Sequence, residues 1–376
     1  MIVSDYLKEY IMLKTQLSII RAKLDLLVQG TDEILYAKDV HNIASYKPMA
    51  GDNPENYRYW EWPQGVQLFG IWKLFEKERN PSYLDILEKY YKTILAGTLP
   101  GRNVNTTAPM LALSYLAEYT NNKTYMDLCR EWARWVMEDM ARTEERGLQH
   151  IVSTQPNKGE LWDDTLFMTV LFLANMGRIL RNNNMLDEAA YQFLIHAKYL
   201  TDIKTGLWYH GFTFEEGRHN FVNARWGRGN CWVTAAIPLF LEIARPCPSV
   251  FNFLQGALEQ QIIGLIPLQD KNGLWHTLLD DPASYFETSC AGGFGYGILK
   301  GIHDRILPEK YMPVVEKALE GVLSQIDGKG VVQNVSDGTP MGRDSLDFYR
   351  NIKIRPMPYG QSLALLLLTE SLYIKE

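Results

Sequence analysis

Four glycines, at positions 147, 206, 273 and 330, recur at roughly 60-residue intervals, the signature of a repeated structural unit. Each opens a similar phrase: Gly147-Leu148-Gln149-His150, Gly206-Leu207-Trp208-Tyr209-His210, Gly273-Leu274-Trp275-His276 and, more loosely, Gly330-Val331-Val332-Gln333. A period of that length holds two ordinary helices and two connections. The intervening segments agree, because 84–94, 109–119, 125–140, 165–180 and 185–200 place apolar residues three and four apart, and strand-like alternation is scarce. A helical hairpin cannot bury its apolar face alone, so neighbours must complete the core. The 376 residues accommodate roughly six such units. Six hairpins in a ring leave no exposed end, and the spacing therefore predicts an all-α fold, an (α/α)6 barrel of six helical hairpins forming one domain over residues 1–376. An open solenoid is the competing arrangement, disfavoured because polar capping repeats are not evident. The glycine is expected to end a helix and reverse the chain, so that the Trp or His following it points into a shared mouth. The plainer alternative is that these aromatics only cover helix ends.

The net charge of -6 comes without any basic block, so neither a nucleic-acid footprint nor an anionic membrane surface is expected. An anionic ligand would need local cations. Four cysteines, Cys129, Cys231, Cys247 and Cys290, show no CxxC spacing, which argues against a disulfide framework or a zinc site. Asp5, Lys8 and Glu9 interrupt the N-terminal apolar run, and no later stretch reaches membrane-span length. A cytoplasmic location is the expectation. No metal-ligand cluster, P-loop or GxGxxG after a strand is present, so no metal or nucleotide cofactor is expected.

Four segments concentrate aromatics, glycines and polar groups at expected helix starts: 60–65, 103–109, 161–168 and 225–232. In the third, Trp162-Asp163-Asp164-Thr165 opens a strongly apolar helix, so one acid can cap it while the other faces a cavity. Both being simple caps is the plain alternative. The fourth, Arg225-Trp226-Gly227-Arg228-Gly229-Asn230-Cys231-Trp232, joins two guanidinium groups to two indoles, with glycines that let a ligand approach the backbone. Arginine pairs with a carboxylate and tryptophan stacks on a pyranose face, so this combination suits an anionic sugar.

At these residues the chain resembles the unsaturated rhamnogalacturonyl hydrolases of glycoside hydrolase family 105, relatives of the unsaturated glucuronyl hydrolases. The resemblance runs along nearly the whole chain. It rests on Trp60-Glu61-Trp62-Pro63-Gln64-Gly65-Val66, Trp162-Asp163-Asp164-Thr165-Leu166-Phe167-Met168, Gly206-Leu207-Trp208-Tyr209-His210, Ala224-Arg225-Trp226-Gly227-Arg228-Gly229-Asn230, and Leu279-Asp280-Asp281-Pro282 followed by Tyr285, Glu287, Thr288 and Ser289. It implies an (α/α)6 barrel and a small oligosaccharide substrate ending in a C4=C5 unsaturated uronic acid. In this family an aspartic acid protonates C4 of the enol ether and water adds at C5. The hemiketal then opens and releases the sugar as a keto acid. One carboxyl can thus serve first as acid and then as base, and the usual separation rule for two glycosidase carboxylates does not apply.

By motif, the resemblance makes Asp164 the acid/base, and Asp163 falls on a position that is commonly apolar. Trp162, His210, Trp226, Arg228 and Trp232 are implied pocket residues, Arg228 being the candidate for the uronate carboxylate, with Trp62 and His150 as further assignments. Asn105 is a departure, since many relatives carry aspartate there; it too is expected near the reacting ring. Without that second carboxylate, burial among Trp162, Trp226 and Trp232 is expected to keep Asp164 protonated. The group His276, Asp280, Asp281, Tyr285 and Glu287 reads as mainly architectural, with Glu287 as a second catalytic carboxylate the sharper alternative. Two other functions are compatible with a helical barrel: a sugar epimerase or isomerase using His150, His210 and His276, and a non-catalytic oligosaccharide-binding protein.

Overall fold

The computed structural model describes residues 2–37, 46–215 and 217–372, with side chains from residue 16 onward. Twelve longer helices among the described residues follow one another as α1 (Ile2–Gln29), α2 (Trp62–Glu78), α3 (Pro81–Ile94), α4 (Val104–Thr120), α5 (Lys123–Glu138), α6 (Leu171–Leu180), α7 (Asn183–Leu200), α8 (Gly227–Ala244), α9 (Pro248–Leu265), α10 (Thr288–His303), α11 (Met312–Gln325) and α12 (Pro358–Ser371). The even-numbered helices form an inner ring in which each packs on the next and α12 returns to α2, while the odd-numbered helices form the outer layer. This is the (α/α)6 barrel that the repeat predicts. Five hairpins pair an inner helix with the outer helix that follows it. The sixth joins α12 to α1, from opposite ends of the sequence.

The two layers follow from how apolar residues are distributed. Inner helices are enclosed on all sides, and α4, α8 and α10 are buried along nearly their whole length. Outer helices bury one stripe, as in α5, where Cys129, Trp132, Ala133 and Val136 face inward at helical spacing. At the lower end, each of the five turns from an inner helix to the following outer one uses a left-handed residue that is not glycine: Arg79, Asn121, Arg181, Arg245 and Arg305 have φ of 53°, 51°, 51°, 44° and 60°. The asparagines that follow three of them, Asn80, Asn122 and Asn182, cap the next outer helix by accepting backbone N–H groups. Buried and half-buried ion pairs close this base, Lys300 binding Glu242 at 3.0 Å and Asp304 at 2.6 Å.

The repeated glycines lie at the upper end, but past the helix ends, inside reverse turns. In the third repeat Asp270 N–H donates to Leu274 O and Gly273 N–H to Asp270 O, and the fourth repeats this with Asp327, Val331 and Gly330. In the first repeat the equivalent left-handed residue is Arg146, with φ 61°, so the phrase beginning at Gly147 is shifted by one position. Close approach explains the glycine in the other three. A Cβ on Gly206 would lie 2.4 Å from Gln260 O on α9, one on Gly273 would lie 1.9 Å from Lys317 O on α11, and one on Gly330 would lie 2.8 Å from Leu26 on α1. Each turn therefore seats directly on the outer helix of the next unit. The tryptophans that follow do not reach the mouth: Trp208 and Trp275 are fully buried, and Trp275 Nε1 donates to Leu265 O at 2.9 Å. Their role is to cover helix ends.

Three short antiparallel pairs tie the upper loops together: β1 (Glu160–Trp162) with β2 (Gly211–Thr213), β3 (Trp275–His276) with β4 (Phe286–Glu287), and β5 (Val335–Ser336) with β6 (Ile354–Arg355). No described helix is long and apolar enough to cross a membrane. Gly273 carries the clearest test of turn-on-helix packing. Gly273→Ala should destabilise the fold by at least about 2 kcal/mol in urea titrations, from backbone strain plus the clash with Lys317 O. Gly328→Ala, in a neighbouring turn with open space around it, should change stability little.

Candidate active site

Because each inner helix is reached through an upper loop, the N termini of the inner ring converge on one end of the barrel. The orphan N–H groups and dipoles of those termini favour negative charge there. A cavity of about 470 Å³ opens among them. Its wall contains Trp62 at the start of α2, Asn105 in the first turn of α4, Trp162 and Asp164 ahead of α6, and Trp226 and Arg228 at the start of α8. His150 completes the wall from the α5–α7 side. Thus seven of the nine residues expected from sequence line one space. The other two stand just behind it. His210 is buried with Nε2 3.5 Å from Asp164 Oδ2, and Trp232 is fully buried between Trp62 and Phe167, at ring distances of 6.1 Å and 5.0 Å. Trp232 supports the wall and does not face the ligand space.

Trp162 stacks on His150 at 4.2 Å with only 10° between the rings, and its Nε1 donates to Glu160 Oε2 at 2.8 Å. Trp226 lies 4.3 Å from His210, and Trp62 stacks on Tyr359 at 4.5 Å. These faces are held by packing before any ligand arrives. His150 Nδ1 is 2.8 Å from Thr165 Oγ1, and burial brings its pKa down to about 3, against the opposing pull of Asp164. His150 is therefore a neutral hydrogen-bonding group across the physiological range.

The two aspartates behave differently. Asp164 borders the cavity with its side chain 18% exposed, whereas Asp163 is fully buried, and none of the hydrogen bonds among the described residues reaches either of its oxygens. Burial, reinforced by the neighbouring Asp164 charge, pushes Asp163 far above the usual carboxylate range. For Asp164 burial acts in the same upward direction, but the contact with His210 outweighs it and holds the group low. The sequence expectation kept Asp164 protonated by burial; the opposed shifts of the two neighbours instead favour Asp163 as the member that holds a proton in the resting site. Asp163, Asp164 and His210 bring donor atoms within 4.8 Å of one another. No ion is assigned to this group.

Arg228 is buried, and its terminal nitrogens are spent inside the protein. Nη1 donates to Ser336 O at 3.2 Å and Oγ at 2.6 Å, and Nη2 donates to Asp337 O and Thr339 Oγ1, both at 2.8 Å. Its fork therefore anchors a strap, residues 338–343, that forms one side of the cavity. The other end of the strap is held by Arg343, which binds Glu160 Oε1 at 2.8 Å and Oε2 at 3.1 Å. Glu287 caps α10, accepting from Cys290 N–H and Ser289 Oγ, and its other oxygen accepts from Ser336 N–H. Asp280 and Asp281 pair with Arg225 and Arg350, and His276 Nδ1 meets Ser284 O. These are architectural contacts.

Glu61, which the sequence did not single out, lines the cavity, accepts from Tyr46 Oη at 2.7 Å and from Ser153 Oγ, and has no hydrogen-bond partner for Oε2 among the described residues. It lies inside the Trp60–Gly65 phrase, so its neighbours were the available signal. Tyr349 and the strap carried no motif. Tyr349 Oη accepts from Gly342 N–H at 3.1 Å and sits 2.7 Å from His210 Nδ1. The Tyr349 hydroxyl also lies 3.6 Å from Met341 Sδ; because a carboxylate can only accept, the contact with Asp164 favours the His210 tautomer that carries its proton on Nε2, with Nδ1 accepting from Tyr349.

Comparisons with known proteins give the family and the fold. The family model described as Glycosyl Hydrolase Family 88 matches residues 38–375. The chain is 30% identical over 323 residues to the unsaturated rhamnogalacturonyl hydrolase YesR of Bacillus subtilis, covering 84% of this chain and 91% of that protein. A crystal structure from Klebsiella pneumoniae, described as a possible member of family GH105, superposes with a TM-score of 0.88 at 41% identity, over 94% of this chain and 93% of that one. A second, from Salmonella enterica and described in the same words, gives 0.88 at 40% identity with the same coverage.

The Tyr349–His210 arrangement has a direct readout. Tyr349→Phe should leave the fold intact but release Nδ1, so the nitrogen resonances of His210 should shift from a single Nε2–H tautomer toward a mixture. Unchanged resonances would remove Tyr349 from its assigned role.

Proposed function

The chain belongs to glycosyl hydrolase family 88, and from that premise we propose that it removes a terminal 4,5-unsaturated uronosyl residue, linked to rhamnose, from small oligosaccharides. The activity is the one carried in the name of its Bacillus subtilis relative. The observation that carries the reading is Asp164: a carboxyl at the wall of an indole-lined cavity, in contact with His210 and facing the converging N termini of the inner helices. That positive end suits a uronate carboxylate, and Trp62, Trp162 and Trp226 offer faces for a sugar ring.

In this mechanism Asp164 delivers a proton to C4 while the C4=C5 electron pair forms the new C–H bond. Positive charge then develops at C5 and the ring oxygen. Water adds at C5 and returns a proton to Asp164, leaving a hemiketal. Opening of that hemiketal gives a C5 ketone and an unstable hemiacetal at C1, from which the neighbouring sugar departs. Net consumption is one water, and the carboxyl ends as it began. His210 aims Nε2–H at Asp164, and Asn105 and His150 are available to sugar hydroxyls. Arg228 contributes charge, with its fork committed to the strap, while Arg343 is the more exposed cation on the cavity wall.

The isomerase alternative would use histidines as proton carriers. His150, neutral down to about pH 3 and bonded to Thr165, is poorly suited to that work. The four cysteines are all unpaired, which supports cytoplasmic residence. Asp164→Asn should fold normally and lower the rate of enol-ether absorbance loss at least about a hundredfold. Two smaller sugars as products separate hydrolysis from isomerisation, which conserves mass. Turnover that survives in the variant, or absence of turnover on every lyase-generated disaccharide tried, would overturn the assignment. Chelator treatment should leave the rate unchanged; a loss restored by adding a divalent cation would contradict the metal-free mechanism.

A further inference from the structure

We propose that Asp163 is the proton store of the site, a positioning residue that acts through Asp164 and supplies from behind the second carboxylate that Asn105 does not. The inference rests on the hydrolase reading given above. Its basis is geometric. Asp163 is fully buried, and within the described structure both its oxygens lack hydrogen-bond donors. An ionised carboxylate there would be out of water and beside the Asp164 charge, with only weak neighbouring backbone N–H contacts to offset it, which favours the neutral acid.

The surroundings explain how so awkward a residue is tolerated. Gly229, in the first turn of α8, leaves the space: a Cβ there would lie 2.3 Å from one Asp163 oxygen and 2.7 Å from the other. The ionisable groups around Asp163 are Asp164 on its own segment, His210 from the loop before β2, Cys231 from α8 and Tyr349 from the segment 347–350. Arg228 and His150 act on Asp164. Asp163 is thus sealed from solvent and open only toward Asp164 and His210.

Two carboxyls this close titrate as a unit, with one proton shared across the working pH range. In the resting site the proton sits on Asp163 and Asp164 is the carboxylate. When an anionic sugar excludes water from the cavity, charge on the exposed member becomes less favourable and the proton passes to Asp164. From there it goes to C4, forming the C–H bond. The proton lost by the water that adds at C5 returns to the pair, so one proton enters and leaves per turnover with no other reactant.

The test is Asp163→Asn, with Asp163→Leu as a second variant should the amide prove unstable. In the wild type, activity is lost on the alkaline side only when the pair loses its shared proton. A lone Asp164, held low by His210, loses its proton earlier, so the alkaline limb of kcat should move down by at least about one pH unit. Activity at neutral pH should fall accordingly, with activity retained at more acidic pH. Infrared difference spectra give a readout independent of substrate: a protonated carboxyl band should be present at neutral pH in the wild type and in Asp164→Asn, and absent from Asp163→Asn. An unmoved alkaline limb, or a band missing from the wild type, overturns the proposal. If the wild type turns over no unsaturated uronide, the hydrolase reading fails by itself, and the infrared band then decides where the proton resides.

Discussion

Closure of the inner ring is the constraint from which the rest follows. Helices as uniformly apolar as α4, α8 and α10 have no face to give to water, so every one needs neighbours on both sides and an outer helix behind. That requirement brings α12 back to α2 and calls for α1 to cover the joint. Ile20, Leu24 and Leu27 on α1 are buried there, each contributing about 2 kcal/mol. The glycine turns serve the same end: by removing a side chain where one unit meets the next, Gly206, Gly273 and Gly330 let neighbouring units approach to backbone contact.

A closed ring of parallel inner helices also polarises the barrel. The N termini of the inner helices face the cavity, whereas the base is sealed by ion pairs such as Lys300 with Glu242 and Asp304. Recognition of an anion therefore begins with the backbone. Arginine at the site is then available for another purpose, and Arg228 uses it: four hydrogen bonds hold Ser336, Asp337 and Thr339, where the chain enters the strap that forms the far wall. The histidines follow the same logic. His150 and His210 are buried and directionally bonded, so their contribution lies in orientation more than in titration.

The barrel was legible in the sequence because its period is long, regular and accompanied by helical spacing of apolar residues. The meaning of the glycine was only half legible. Its positive φ can be inferred from residue type, but the helix it touches lies far along the chain, at Gln260 for Gly206, Lys317 for Gly273 and Leu26 for Gly330, and in the first repeat Arg146 takes the same conformation without advertising it. The cavity wall was legible where a motif carried it: Trp62, Asn105, His150, Trp162, Asp164, Trp226 and Arg228 all meet. What escaped was whatever depends on contacts between distant segments. Trp232 reads as an indole near an arginine, yet Trp62 stands in front of it. Nothing local marks Tyr349 as the partner of His210, 139 residues away. The division of labour between Asp163 and Asp164 turns on burial, which adjacent letters in a helix-start motif do not encode.

The joint between α12 and α2 has a bearing on how activity and folding are related. The cavity takes Glu61 and Trp62 from one side of that joint and the strap 338–343 from the other. A chain that has formed its middle hairpins but not yet brought these segments together has most of a barrel and no binding site. The binding site is therefore complete only where that joint is closed, and whatever loosens α12 from α2 also loosens the cavity wall.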